Sequence, residues 1–279
     1  MAEARRMRLL EMIARSEEAF ELDSLAVAMK CDTRTIRRDL DSIQQLLQIV
    51  QGVEIRRSKV LAVRTGHSPG YFSDQLEKNA PAKARIAKAI VRKLPDEIAI
   101  ALTAGSTPFA VAKEIRRAVV ADESPKNPIV FTNSLPALLE MVIAGVATGT
   151  LGEIYVPEDC ALHSPEFHSS ALPSVAIVGA SGISIGADGG GLPGLNLFSH
   201  RAEEAAFMKQ LLVNIPEVII AADNSKLNKR HPWNFGGKTL NGKKVRLVTE
   251  ALSQEQTYDL DRLAERLISD NILFCYEVA

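Results

Sequence analysis

The sequence predicts an N-terminal winged helix-turn-helix domain followed by an open, mostly parallel α/β sheet domain. Three observations predict this fold class: two short amphipathic helices flank a tight turn early in the chain, turn-forming residues follow at Thr65–Gly70, and hydrophobic strands then alternate with helices to the end. A chain of 279 residues has room for about two domains with separate cores. We place the first domain at residues 1–65, a linker at 66–80 and the second domain at 81–279.

The segment Thr33–Leu47 predicts a helix with an apolar stripe and a basic face. Ile36, Leu40 and Ile43 recur at helical spacing, and the arginines lie opposite or beside them. A short helix over Leu22–Met29 precedes it, after a break of three residues. In such a helix-turn-helix the last helix enters the major groove, where Thr and Arg side chains suit phosphates and guanine edges. The alternative is a surface helix with a solvated basic face. The candidate DNA contacts on this helix are Thr33, Arg34, Thr35, Arg37 and Arg38.

Two β-branched runs after this helix predict a hairpin, the wing of a winged helix. They cover Ile49–Ile55 and Val60–Val63, and a basic tip lies between them. Such a tip can lie along the phosphate backbone, although a solvated hairpin loop would also be polar. The candidate DNA contacts in the hairpin are Arg56, Arg57 and Lys59.

The hexad Thr35–Leu40, with the sequence Thr-Ile-Arg-Arg-Asp-Leu, resembles the recognition helix of the DeoR family of bacterial transcription regulators. The resemblance implies a winged helix-turn-helix that binds an operator in double-stranded DNA. This chain departs from the family near the hairpin, where the usual His-Gly-Gly-Ala run is missing.

The remainder of the chain predicts an α/β sheet. The predicted strands are Ile98–Leu102, Ile129–Thr132, Glu153–Val156, Val175–Val178, Val218–Ala222, Val245–Val248 and Ile272–Tyr276. The predicted helices are Pro108–Val119, Leu135–Ala144, Arg201–Asn214 and Tyr258–Asp270.

Polar loops follow three of the predicted strands, and ligands of open α/β sheets bind at the carboxyl ends of strands. The loops are Thr103–Thr107, Thr132–Ser134 and Ala222–Lys226. Gly105 in the first loop allows close approach of an anion to a helix N-terminus. Each loop could also serve only as a helix cap, but three together predict a shared pocket for an anionic ligand.

The same loops resemble the effector domain of the DeoR family, in which Gly-Thr/Ser-Thr, Thr-Asn-Ser and Ala-Asp-Ser-Ser-Lys turns occur. That domain is similar to ribose-5-phosphate isomerases and binds phosphorylated sugars or related metabolites. The resemblance implies that the effector phosphate is held by Gly105, Ser106, Thr107 and Lys226. It places near the sugar Thr132, Asn133, Ser134, Lys209 and Asp223.

One departure concerns catalysis. The family tends to have Gly-Ala-Asp-Gly after the strand Val175–Val178, whereas this chain has Gly-Ala-Ser-Gly. An isomerase moves protons with a positioned carboxylate, which Ser181 cannot supply. Asp188, seven residues further on, could do so only if its loop folds back.

The amino-acid composition limits which cellular compartment and which cofactors we expect. The chain is 46% hydrophobic, 24% charged and has a net charge of −1, which is typical of a soluble globular protein. Its three cysteines are far apart and its five histidines lack zinc spacing, so we expect reduced thiols in a cytoplasmic protein without a metal site. We expect no cofactor, no signal peptide and no membrane-spanning helix.

The sequence therefore predicts a ligand-responsive transcription regulator rather than an enzyme, with repression of carbohydrate catabolism genes as the expected role. The alternative is a sugar-phosphate isomerase or deaminase with an appended domain. A dinucleotide-binding enzyme is disfavoured because no G-x-G-x-x-G follows the first strand. Paired DNA half-sites would require a homodimer or a larger homo-oligomer.

Overall fold

The structure is a computed structural model, and it describes residues 5–9, 12, 20–47, 53–56, 59–62, 71–156, 161–163, 173–186, 194–267 and 272–279. The chain forms two compact units. The first comprises Met1–Lys78 with Tyr155–Cys160, and the second comprises Asn79–Ile154 with Ala161–Ala279.

The N-terminal unit combines helices with a small antiparallel sheet of order β1-β3-β2. Its helices are α1 (residues 5–9), α2 (Leu22–Ala28), α3 (Thr33–Leu47) and α4 (Tyr71–Glu77). Its strands are β1 (Phe20–Glu21), β2 (Val53–Arg56) and β3 (Lys59–Ala62). The apolar stripe predicted for α3 is buried at Ile36, Leu40 and Ile43.

Helix α3 begins at Thr33 and is capped by Asp32, the residue before it. Asp32 accepts hydrogen bonds from the Thr35 backbone N–H at 2.7 Å and from the Thr35 hydroxyl at 2.9 Å. These bonds to the carboxylate lower the pKa of Asp32. The aspartate ends the turn over residues 29–32 and satisfies a donor of the first helical turn.

The second unit is built on a seven-stranded sheet of order β15-β14-β12-β9-β4-β5-β6, in which every neighbouring pair is parallel. Its strands are β4 (Ala99–Leu102), β5 (Ile129–Thr132), β6 (Ala147–Thr150), β9 (Val175–Val178), β12 (Glu217–Ala221), β14 (Lys244–Thr249) and β15 (Leu273–Val278). The central strands carry apolar side chains on both faces, as a doubly covered parallel sheet requires.

Helices of this unit follow the strands. They are α5 (Ala80–Val91), α6 (Ser106–Val120), α7 (Leu135–Ile143), α8 (Ala202–Val213) and α9 (Gln254–Leu267). Between β6 and β9 the chain contains two further short strands, β7 (Ile154–Val156) and β8 (Ala161–His163), and most of β7 belongs to the first unit. A separate antiparallel sheet contains β10 (Gly182–Gly186), β11 (Gly194–Ser199) and β13 (Trp233–Asn234).

Two sequence predictions are wrong here. The strand predicted at Glu153–Val156 does not belong to the seven-stranded sheet; the edge position is taken by β6, whose small and polar residues carry no hydrophobic signal because an edge strand is partly exposed. Helix α6 begins at Ser106, so Pro108 is its third residue rather than its first.

The segment predicted as a linker, residues 66–80, lies partly outside the described residues. Its described part contains α4 and the first residue of α5. Between these helices Asn79 adopts a left-handed conformation with φ of 52°. Asn tolerates this region better than most residues, so it can connect the two helices without a glycine.

Candidate functional site

The basic face predicted on α3 is exposed. Arg34, Arg37 and Arg38 all point to solvent, while Thr33 and Thr35 are half-buried. Thr35 is already engaged in the cap of the helix. Arg57 and the side chains of Arg56 and Lys59 lie outside the described residues.

Asp39 on the opposite side of α3 was given no role by sequence reasoning. Its carboxylate accepts hydrogen bonds from Arg5 Nε at 2.6 Å and from Arg6 Nε at 3.0 Å. It is almost fully buried, so its negative charge is withdrawn from any phosphate approaching the basic face. These two ion pairs fasten α1 to α3.

The strand order identifies the ligand-binding edge of the sheet. From β4 the chain proceeds outward through β5 and β6, whereas from β9 it proceeds through β12, β14 and β15 in the other direction. The order therefore reverses between β4 and β9. Ligands of open α/β sheets bind in the crevice outside the carboxyl ends of the strands at such a point.

Thr103 joins the two strands at this crevice. Its backbone N–H donates to Ile177 O at 3.1 Å, and its hydroxyl accepts from the Gly179 N–H at 3.3 Å. Gly179 lies close to α6, because a side chain there would place its first carbon 3.1 Å from Cδ of Pro108. The crevice thus brings the residues after β9 against the first turn of α6.

The N-terminus of α6 opens at this crevice. Gly105 precedes the helix with φ of 131°, a conformation that favours glycine, and its carbonyl accepts from Phe109 N at 2.9 Å. The backbone N–H groups of Ser106 and Thr107 have no partner inside an α-helix, by its geometry. Together with the positive end of the helix dipole, they form a site suited to a phosphate.

The three residues predicted near the sugar after β5 each make a hydrogen bond to the backbone. Thr132 donates its hydroxyl to Leu102 O at 2.7 Å, Asn133 Oδ1 accepts from the Ala104 N–H at 2.7 Å, and Ser134 caps α7 by accepting from Ala137 N. All three side chains are almost fully buried. This loop therefore holds the α6 loop in place.

The loop after β12 is tied to the first residue of the second unit. Buried Asp223 accepts from Ser225 N at 3.1 Å and from Asn79 Nδ2 at 3.0 Å, both through Oδ1. Asn224 donates to Ala251 O at 2.9 Å. The start of the loop that carries Lys226 is therefore held by Asn79 and by Ala251.

Two histidines lie beside this loop, and the sequence analysis had not included them among the candidate site residues. The rings of His200 and His231 lie with their centroids 3.8 Å apart, and His231 Nε2 is 3.1 Å from Ser181 O. Desolvation lowers the pKa of His200, and the neighbouring His231 and Lys226 lower it further. Desolvation and the charges of Lys226 and Lys229 likewise lower the pKa of His231, against the opposing hydrogen bond to Ser181. No sequence signal joins two histidines that are 31 positions apart.

Lys209, which the resemblance placed near the sugar, lies on helix α8. It is exposed on α8, whose C-terminal end lies at the amino ends of β12 and β14, where Lys243 Nζ donates to the carbonyls of Val213 and Ile215. At 1.5 Å per residue, Lys209 lies about 10 Å from the start of that helix. Asp188 lies outside the described residues.

Across the described residues, no group of three or more His, Cys, Asp or Glu side chains could hold a metal ion. Among the helices that the structure describes, none has the length and apolar character needed to cross a membrane.

The sequence matches the family model of the DeoR C terminal sensor domain over residues 78–240. No curated protein matches it significantly. Similar solved structures include ribose 5-phosphate isomerase from Plasmodium falciparum, with 21% identity, a TM-score of 0.38, and 52% of this chain and 51% of that chain covered. Ribose 5-phosphate isomerase A from Methanocaldococcus jannaschii has 19% identity and a TM-score of 0.41, with 55% and 56% covered. The structure of eIF2B delta from Chaetomium thermophilum has 15% identity and a TM-score of 0.36, with 81% of this chain and 64% of that chain covered. This chain thus spans about half the length of the two isomerases.

Proposed function

The chain belongs to the DeoR family, since its match to the sensor domain covers more than half of its length, and we propose that it is a transcriptional regulator whose DNA affinity changes when a phosphorylated sugar binds. Repression of carbohydrate-catabolism genes, in the cytoplasm and as a homo-oligomer, is the proposed mode of action.

The observation that carries the proposal is the position of the α6 N-terminus at the point where the strand order reverses. Gly105, Ser106 and Thr107 present backbone donors there, and buried Thr132, Asn133 and Ser134 hold the surrounding backbone. The loop with Asp223 and Lys226 follows β12, which neighbours β9 at the same edge. An anionic ligand in this crevice would meet donors on one side and a cationic loop on the other.

The DNA-binding half of the proposal is supported by α3. This helix follows α2 after a four-residue turn, precedes a hairpin and exposes three arginines while its apolar stripe is buried. That arrangement suits insertion into a major groove, with Arg38 and Arg34 as candidates for contacts to guanine.

Asn79 provides a link through which effector binding can change DNA affinity. It directly follows the N-terminal unit in sequence, and its side chain donates to Asp223 in the candidate ligand loop. A ligand that moves this loop would change the conformation in which Asn79 is held, and with it the start of α5.

The isomerase alternative has less support. Because position 181 carries a serine, it supplies no carboxylate for proton transfer. The backbone carbonyl of Ser181 lies within hydrogen-bonding distance of His231. Purified protein should therefore show no turnover of aldose or ketose phosphates. Turnover that disappears in Asp188→Asn would support the enzyme instead.

The test begins by selecting a binding site from a random pool of DNA duplexes with the full-length protein. Thermal unfolding with a panel of sugar phosphates then identifies the effector, because a ligand at about 100 times its Kd adds about 2.7 kcal/mol of stability. Fluorescence anisotropy at fixed salt measures DNA affinity with and without that effector.

Two variants complete the test. Arg38→Ala should cost about 1–3 kcal/mol of specific DNA binding, whereas Arg262→Ala, an exposed arginine of α9, should cost none. Lys226→Ala should weaken the effector and abolish its influence on DNA affinity, while Lys244→Ala at the opposite edge should not. If no duplex is selected, or if Lys226→Ala responds like the wild type, the proposal is wrong.

A further inference from the structure

His200, His231 and Lys226 form a cluster of side chains near the proposed phosphate site at α6. The two rings are 3.8 Å apart between centroids, and Lys226 acts electrostatically on both. Lys229, close in sequence, acts on His231 as well. Groups that can all be cationic have thus been brought together at the ligand edge of the sheet.

The hydrogen bond to Ser181 determines which nitrogen of His231 is available. A carbonyl only accepts, so Nε2 of His231 carries the hydrogen and donates it to Ser181 O. In the neutral ring, Nδ1 then holds a lone pair, which repels an anion. Protonation converts Nδ1 into a donor, so an anion bound there would be accompanied by uptake of a proton.

A short stretch of chain links the cluster to the first turn of α6. Gly179 approaches Pro108 in the first turn of α6, and Ser181, two residues later, contacts His231. Two residues span at most roughly 7 Å. A phosphate bound at α6 and a second group bound at the cluster could therefore belong to the same short sugar.

We propose that His200, His231 and Lys226 form a second anion subsite, so that the preferred effector is a sugar phosphate with a further anionic group at its other end. Sugar bisphosphates and phosphorylated sugar acids share this chemistry. The inference rests on the proposed effector site, and it adds the charge of the effector and the residues that select it.

Calorimetric titration of the full chain tests this with three probes: a ketohexose bisphosphate, the corresponding monophosphate and a phosphorylated aldonic acid. A hydrogen bond to a charged group is worth about tenfold in affinity, so at least one doubly anionic probe should bind about tenfold more tightly than the monophosphate. The better of the two identifies the second group as phosphate or carboxylate. His231→Gln and His200→Gln should each remove most of this gain and leave monophosphate binding within about twofold. Lys244→Gln, which removes a lysine from the amino edge, should change neither.

The pH dependence gives a test that needs no variant. The charged and titratable groups acting on the pair are Lys226 and Lys229, and burial and these charges keep the imidazoles neutral in the free protein. Between about pH 8 and about pH 6.5, the affinity ratio of doubly to singly anionic probe should rise in the wild type as the histidines take up protons. The affinity ratio should change less with pH in His231→Gln. Because the probe itself titrates equally with both proteins, the comparison with this variant corrects for that titration.

The outcomes separate the two proposals. Equal affinity for all three probes, or a preference that both histidine variants and a change of pH leave unaltered, would overturn the second subsite and leave the sensor function standing. If none of these probes nor any member of the sugar-phosphate panel binds, the proposed effector site is wrong and the second subsite falls with it. Circular dichroism and the melting temperature without ligand distinguish loss of binding from loss of folding.

Discussion

Replacing Asp39 tests how α3 is held in the N-terminal unit. Its carboxylate is only 3% exposed, and the two arginine side chains that it binds are 22% and 24% exposed. In Asp39→Ala the guanidinium groups of Arg5 and Arg6 would both lose this charge partner. Breaking a fully buried pair costs about 3–5 kcal/mol, whereas an exposed pair is worth about 0–1 kcal/mol.

Because the arginines are about three-quarters buried, we expect Asp39→Ala to cost about 2–3 kcal/mol. In a unit of this size, 1 kcal/mol shifts the melting temperature by about 4–8 °C, so the shift should be roughly 10–20 °C. Scanning calorimetry measures it, and hydrogen exchange of peptides from α1 and α3 assigns the shifted transition. Asp41→Ala is the matched control, since Asp41 is exposed on the same helix and should change stability by less than about 0.5 kcal/mol. If both variants melt alike, the two ion pairs do not hold α3, and the reasoning is refuted.

Three further predictions concern the second unit. Gly105→Ala should cost about 1–3 kcal/mol of stability and reduce effector affinity in titration, because a backbone φ of 131° is strained for any residue with a side chain. The control is Gly194→Ala, since an added Cβ at Gly194 would meet open space. Asn79→Gly keeps the left-handed backbone but loses the hydrogen bond to Asp223. The effector should therefore still bind, while its effect on DNA affinity, measured by anisotropy, becomes smaller. An unchanged effect would exclude coupling through the Asn79–Asp223 hydrogen bond. Burial lowers the pKa of Lys243, so just below the ordinary value of 10.5 the unfolded chain binds more protons than the folded chain. Stability relative to Lys243→Met, measured by urea unfolding, should therefore rise as the pH approaches 10.5, and a flat difference would contradict this.

Local sequence patterns were enough to predict the elements that build the ligand edge. The segments that became β4, β9 and β12 are apolar runs in the middle of the sheet, and such runs are recognisable in sequence because both faces of a central parallel strand are buried. The polar loops after β4, β5 and β12 were found for the same reason, since strand ends mark where the loops begin. The exposed arginines of α3 followed from the spacing of its apolar stripe.

Only the tertiary structure decided what these polar residues contact. Thr132 and Asn133 look like ligand-binding residues in sequence, but both are buried and bonded to the backbone of the neighbouring strand and loop. Asn79 and Asp223 are 144 positions apart, and no local pattern joins them. His200 and His231 meet only because β11, which ends at Ser199, pairs with β13, which begins at Trp233. Propensity and periodicity act over a few residues, whereas these contacts depend on the order in which the strands pair, which is set by packing of the whole sheet.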